Sequence, residues 1–322
     1  MKLRLLTRDD VRSAITMRQA IDAMRQAFGQ LSAGHARVPL RLPLETEKGV
    51  TLFMPAYLQR TGDLGAKIVS VYGDNPDHGL PMINALVLLL DNQTGVPLAL
   101  MDGAYLTALR TGAGSGLATE LLAREDAEVV AVFGAGAQAR TQLEAVRTVR
   151  PIREVRIVSR TRESAQQFVD EIEGVEARVL DDRSAAVRGA GIIIAATTSS
   201  TPVFDGRDVE PGTHINGIGS YTPEMQEVDA AVVQRAKIVV DQREAALEEA
   251  GDLIIPIRQG LVRAADIYAE LGEIVNGEKA GRTSDDEVTF FKSVGNAAQD
   301  VATARWVLRA AEERGLGSVV ML

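Results

Sequence analysis

The sequence predicts an α/β protein in two parts: a doubly wound parallel sheet and a discontinuous α+β domain built from both ends of the chain. Three observations predict it. From residue 127 onward, short apolar runs alternate with helical patterns, the rhythm of strands joined by crossover helices. The first such strand runs straight into a Gly-x-Gly-x-x-Ala turn that opens a helix. Before residue 107, strand-like runs separated by Gly, Pro and Asn turns dominate instead, and 322 residues suit about two domains.

The elements follow in order. Residues 7–33 read as one capped helix: Thr7 precedes Asp9 and Asp10, and Val11, Ile15, Ile21, Met24, Ala27, Phe28 and Leu31 recur at helical spacing. Residues 50–54, 64–71 and 83–90 read as strands of an antiparallel sheet, with a loop at 73–81. A long small-residue helix covers 107–124. Strands at 129–133, 155–159, 177–180, 192–196, 213–218 and 238–241 alternate with helices at 137–149, 161–173 and 183–189. A last helix, 299–314, is expected to pack back on the first domain. The boundaries drawn are 1–118 with 302–322 for the α+β domain and 119–301 for the Rossmann-type domain.

Composition narrows the function. The chain is 46% hydrophobic and 25% charged, ordinary for a globular protein with a large core. Its net charge of −9 offers no field for nucleic acid. It has no cysteine, which excludes disulfides, thiolate catalysis and Cys-ligated metal. His35, His78 and His214 show no metal spacing, so no metal is expected. The first ten residues are too charged for a signal peptide and the apolar runs are strand-sized. A cytoplasmic protein without membrane contact is therefore expected.

The glycine turn points to a dinucleotide. In AEVVAVFGAGAQA, residues 127–139, Gly134 permits the tight turn and Gly136 lets the backbone approach a pyrophosphate. Ala137 and Gln138 open the helix whose amides and dipole face the phosphates, and Ala139 lets helix and strand pack closely. The next strand ends in Ser159, Arg160, Thr161 and Arg162, with no carboxylate to hold a ribose 2′-hydroxyl. Those residues suit a 2′-phosphate, so NADPH is expected over NADH. Thr197 and Thr198 end the buried strand 192–196. Ile218 ends the strand before the loop GSYTP, at a second strand terminus beside the expected nicotinamide. A second glycine run, 112–116, follows no strand and reads as close helix packing, although Thr111 can touch the cofactor.

The other half supplies cations among apolar residues: Arg41 in VPLRLPL, Lys67 in LGAKIVS and Arg110 in YLTALRTG. A cation so placed usually has an acidic partner or an acidic ligand. Together, beside a dinucleotide domain, the three suggest a carboxylate clamp.

With these motifs in place, the chain resembles the ornithine cyclodeaminase/mu-crystallin family. The matching stretches are EKG at 47–49, MPA at 54–56, NPDHGLP at 75–81, TGVPLALMD at 94–102, LRTGA at 109–113, the GAGAQA turn, EPGTHIN at 210–216 and QDVATA at 299–304. They span nearly the whole chain in order. The resemblance implies a homodimer, a nicotinamide cofactor, and Arg41, Lys67 and Arg110 facing a substrate carboxylate, with Met54 beside them. It also implies that Asp300 lies near the reacting groups. Cyclodeaminases carry an Asp where this chain has Tyr221, a poor general base at neutral pH. The expected activity is therefore reduction of a small 2-imino acid, a cyclic ketimine, by NAD(P)H, with Tyr221 as a pocket wall or weak donor. Alanine dehydrogenase, ornithine cyclodeaminase and a non-catalytic NADPH-binding protein are the alternatives.

Overall fold

A computed structural model describes residues 1–322 and divides them into two compact units. Unit 1 comprises Met1–Arg110 and Asn296–Leu322, and unit 2 comprises Thr111–Gly295. The sequence boundaries at 118 and 302 fall inside two continuous helices, Gly103–Leu122 and Ala297–Arg314. The first crosses from unit 1 into unit 2 between Arg110 and Thr111, where composition does not change, and the second lies wholly in unit 1.

In chain order, unit 1 begins with β1 (Lys2–Leu6), α1 (Arg8–Ala14), α2 (Met17–Ser32), β2 (Ala36–Arg37) and β3 (Leu42–Glu45). It continues with β4 (Val50–Leu58), β5 (Asp63–Val71), β6 (Ile83–Leu90), β7 (Pro97–Asp102) and the start of α3 (Gly103–Leu122). The helix read over 7–33 is two helices. Thr16 and Gln19 form a second capping box that repeats the Thr7–Asp10 box, so the chain restarts a helix where the apolar spacing alone runs through.

Unit 2 carries β8 (Val129–Phe133), α4 (Ala137–Val149), β9 (Glu154–Val158), α5 (Arg162–Asp170), β10 (Glu176–Val179), α6 (Arg183–Val187) and β11 (Ile192–Ala195). β12 (His214–Gly217), α7 (Ala230–Val233), β13 (Lys237–Val240), α8 (Arg243–Glu249) and α9 (Gly251–Arg258) follow. β14 (Ile267–Glu270), α10 (Leu271–Val275) and β15 (Thr289–Lys292) complete it. The chain then returns to unit 1 with α11 (Ala297–Arg314) and β16 (Ser318–Met321).

The unit 1 sheet runs β16-β1-β7-β6-β5-β4-β2, with β3 also on β4. Every pairing is antiparallel except β1 with β7. α11 packs on α2 and across β4, β5 and β6. Strand periodicity sends Gly65 and Lys67 of β5 to this buried side. On alternate positions, Leu42, Phe53, Ile68 and Leu86 stand directly opposite one another across β3, β4, β5 and β6. All four are exposed.

The unit 2 sheet is wholly parallel, in the order β10-β9-β8-β11-β12-β15-β13-β14. Its central strands are apolar on both faces, as a sheet covered by helices on two sides requires. The strand order reverses at β8 and β11, the switch point at which such sheets bind ligands. β14 and β15 are absent from the sequence reading. β15 enters between β12 and β13 although it lies far along the chain from both.

Candidate active site

The glycine turn sits at the switch point. Gly134 has φ +110, and its N–H donates to Val158 O at 2.8 Å. A Cβ there would lie 2.5 Å from Ala196 O, so only glycine lets the ends of β8, β9 and β11 converge. Gly136 is the N-cap of α4 with no side-chain cap, and nothing lies within 4 Å of where its Cβ would be. Ala137 and Gln138 form the first turn, and Gln138 Oε1 is buried without a partner. Open space and an uncapped helix start fit a bound pyrophosphate.

Ser159 follows β9, half-buried, and Arg160, Thr161 and Arg162 are exposed beyond it. Thr161 Oγ1 donates to Ser164 Oγ at 2.7 Å, and Arg162 is bound to Asp181 at 2.5 Å. Of the two arginines expected to meet a 2′-phosphate, Arg162 therefore already has an acidic partner. Thr197 is half-buried and Thr198 exposed after β11. Thr111 is buried in α3, where Gly112 lies against the Thr141 backbone.

The loop after β12 is fixed by charges that the sequence reading missed. Glu227 is fully buried and accepts from Thr197 N at 2.5 Å, Gly219 N at 2.6 Å and Ser220 N at 3.1 Å. Asp252, at the start of α9, accepts from Glu227 N at 2.6 Å and Val228 N at 3.0 Å. Lys292, the last residue of β15, pairs with Asp252 at 3.0 Å and donates to Gly217 O at 3.2 Å. Burial first, then the neighbouring Asp252, pushes the Glu227 carboxyl up to about 7, against the opposing pull of Lys292 and the Thr197 amide. Ile218 is buried at this junction, while Tyr221 is 45% exposed. Lys292 stands in FFKSV, a cation between apolar residues, the same signal that singles out Lys67. Glu227 stands in an acidic stretch that reads as solvated surface.

Unit 1 brings together three of its expected residues. Lys67 Nζ lies 2.8 Å from Asp300 Oδ2, and Arg110 Nε lies 3.0 Å from Asp300 Oδ1. Arg110 Nη1 also donates to Gln299 Oε1 at 2.6 Å, leaving Gln299 Nε2 buried without a partner. All three charged groups are buried. Met54 is buried opposite Lys67 on β4. Arg41, half-buried ahead of β3, adds positive potential at Lys67. Burial lowers the Lys67 ammonium to about 8. Asp300 opposes that fall, and Arg110 and Arg41 add to it. The cluster carries two buried cations against one carboxylate, an arrangement completed by a second anion. Tyr221, expected as a pocket wall, belongs to unit 2.

A parallel sheet with a glycine turn at its switch point, joined to a unit with a buried excess of cations, defines a dinucleotide-binding oxidoreductase. The chain belongs to the ornithine cyclodeaminase/mu-crystallin family, whose sequence profile matches residues 1–315. It is 43% identical over 319 residues to a Bacillus cereus Delta(1)-pyrroline-2-carboxylate reductase, covering 97% of this chain and 98% of the relative. The structure of the Thermococcus litoralis Delta(1)-pyrroline-2-carboxylate reductase in complex with NADH and L-proline superposes with a TM-score of 0.94 at 42% identity. It covers 98% of this chain and 99% of that one. An archaeal alanine dehydrogenase dimer with bound NAD gives a TM-score of 0.95 at 40% identity over the full length of both chains.

Proposed function

We propose that this protein reduces Δ1-pyrroline-2-carboxylate, or a closely similar cyclic 2-imino acid, to the corresponding amino acid. The observation that carries the reading is the buried Lys67–Asp300–Arg110 cluster, in a chain 43% identical to a reductase of that substrate. A substrate carboxylate supplies the missing negative charge, with Arg110 and Arg41 as its partners. A bound reduced nicotinamide supplies the hydride for the imine carbon. Lys67 holds a proton for the imine nitrogen, and an ammonium at about 8 is protonated at neutral pH yet gives its proton up more readily than an exposed lysine. Asp300 keeps Lys67 and Arg110 in register, and Met54 closes the apolar side against Lys67.

The reading includes NADPH as the preferred reductant. It rests on Ser159, Arg160 and Thr161 standing where a 2′-hydroxyl-binding carboxylate is missing, while NADH remains a usable cofactor. It also includes a homodimer. The exposed row Leu42, Phe53, Ile68 and Leu86 is an apolar sheet face that a second copy of the chain would cover. The test is loss of reduced-nicotinamide absorbance on adding Δ1-pyrroline-2-carboxylate, run in parallel with NADPH and NADH. Proline formed one for one with NADPH oxidised is the expected result. Turnover of pyruvate with ammonia in place of the imine would move the assignment to alanine dehydrogenase, which the 40% identity to the archaeal enzyme also favours.

A further inference from the structure

Loops from two strand ends meet over one carboxylate in unit 2. Thr197 follows β11, Gly219 and Ser220 follow β12, and all three donate to Glu227, whose own N–H and that of Val228 are held by Asp252. The loops touch because residue 219 is glycine: a Cβ there would lie 1.9 Å from Thr197 O and 2.6 Å from Glu227 Oε1. Lys292 ties β15 to the same point through Asp252 and Gly217 O. These are carboxyl ends of parallel strands beside the switch point, where such sheets take their ligands. The cluster holds two carboxylates and one ammonium, all fully buried, and backbone amides of the converging loops meet the surplus negative charge.

We propose that Glu227 is a positioning residue for the nicotinamide end of the cofactor. Its negative charge holds the amides of Thr197, Gly219 and Ser220 at once, and loss of that charge loosens the loops that shape the site. The inference rests on unit 2 being the cofactor-binding half. The charged groups facing Glu227 are Asp252 from α9 and Lys292 from β15. A neutral carboxyl keeps one lone-pair-rich oxygen but brings a proton toward donors, so it cannot serve three N–H groups as the anion does. Since burial and Asp252 raise this carboxyl to about 7, the change falls within an accessible pH range. The sign is fixed: a raised acid loses its charge as pH falls, so cofactor binding weakens below about 7.

The experiment is calorimetric binding of NADP⁺ and of NAD⁺ to the full-length protein and to Glu227→Gln, from pH 6 to pH 8.5. The wild type is expected to bind about tenfold more weakly at the acid end. The variant is expected to bind about tenfold more weakly at pH 8.5 and to show a much flatter profile. Subtracting one profile from the other cancels titration of the cofactor's own phosphates. A variant that keeps the wild-type pH slope overturns the proposal, as does a variant that binds as tightly as the wild type throughout. A wild type that binds neither nucleotide overturns the reading of unit 2 itself. Amide hydrogen exchange of the wild type gives a second readout that needs no variant. Thr197, Gly219 and Ser220 should lose protection at pH 6 relative to pH 8.5, after correction for intrinsic rates, and unchanged protection overturns the proposal.

Discussion

Each unit buries a cluster of three charges, and the two clusters have opposite balance. In unit 1, Lys67 and Arg110 face the single carboxylate of Asp300. In unit 2, Glu227 and Asp252 face the single ammonium of Lys292. The surplus negative charge of unit 2 is met by the chain itself, through amide donors from Thr197, Gly219, Ser220, Glu227 and Val228. No such set of acceptors meets the surplus positive charge of unit 1, where Gln299 Oε1 takes one guanidinium N–H and leaves its own amide nitrogen unpaired. A buried charge that the fold satisfies is scaffold. One that it leaves short of a counter-charge suits a ligand, and that difference separates the cluster proposed to face the substrate from the loop-holding one.

The comparison can be broken at either cluster. The largest effect on catalysis is expected from Lys67→Ala, which removes the proton carrier and leaves Asp300 with Arg110 alone: kcat on the imine should fall roughly 10²–10⁴-fold with the fold intact by circular dichroism. The largest effect on stability is expected in unit 2. Lys292→Met strands two buried carboxylates and should cost about 3–5 kcal/mol, read as a lower denaturation midpoint. A smaller, diagnostic effect is the alkaline limb of kcat. Lys67 is protonated below its folded value of about 8, so the rate should decline as pH rises through that value. The smallest effect is expected at Arg160→Ser, which should lower the ratio of NADPH to NADH efficiency by about tenfold without altering the fold. An unchanged ratio would move phosphate recognition to Ser159 and Thr161.

Much of this was legible in the sequence, and what escaped has a physical reason. The glycine turn is local: a strand, three fixed positions and a helix start, all within 127–139. Arg41, Lys67 and Arg110 stand out because each interrupts an apolar run. Lys292 interrupts one in the same way, but β15 reaches the centre of the sheet only through long-range pairing with β12 and β13. Glu227 gives no local sign, since its burial comes from Asp252, Thr197 and Lys292, which are distant in sequence. The break between α1 and α2 was readable in Thr16 and Gln19, and helical periodicity masked it. The residues expected at a 2′-phosphate stand out by the absence of an acid, but the pairing of Arg162 with Asp181 depends on the start of α6 lying near that of α5.

The measurement that tests the central claim most directly is steady-state turnover of Δ1-pyrroline-2-carboxylate by the wild type and by Lys67→Ala, followed as NADPH oxidation with proline quantified at the end point. The account predicts stoichiometric proline from the wild type and at least a hundredfold lower kcat in the variant, with cofactor binding unchanged. Equal turnover by the two proteins, or oxidation of NADPH without proline, would contradict it.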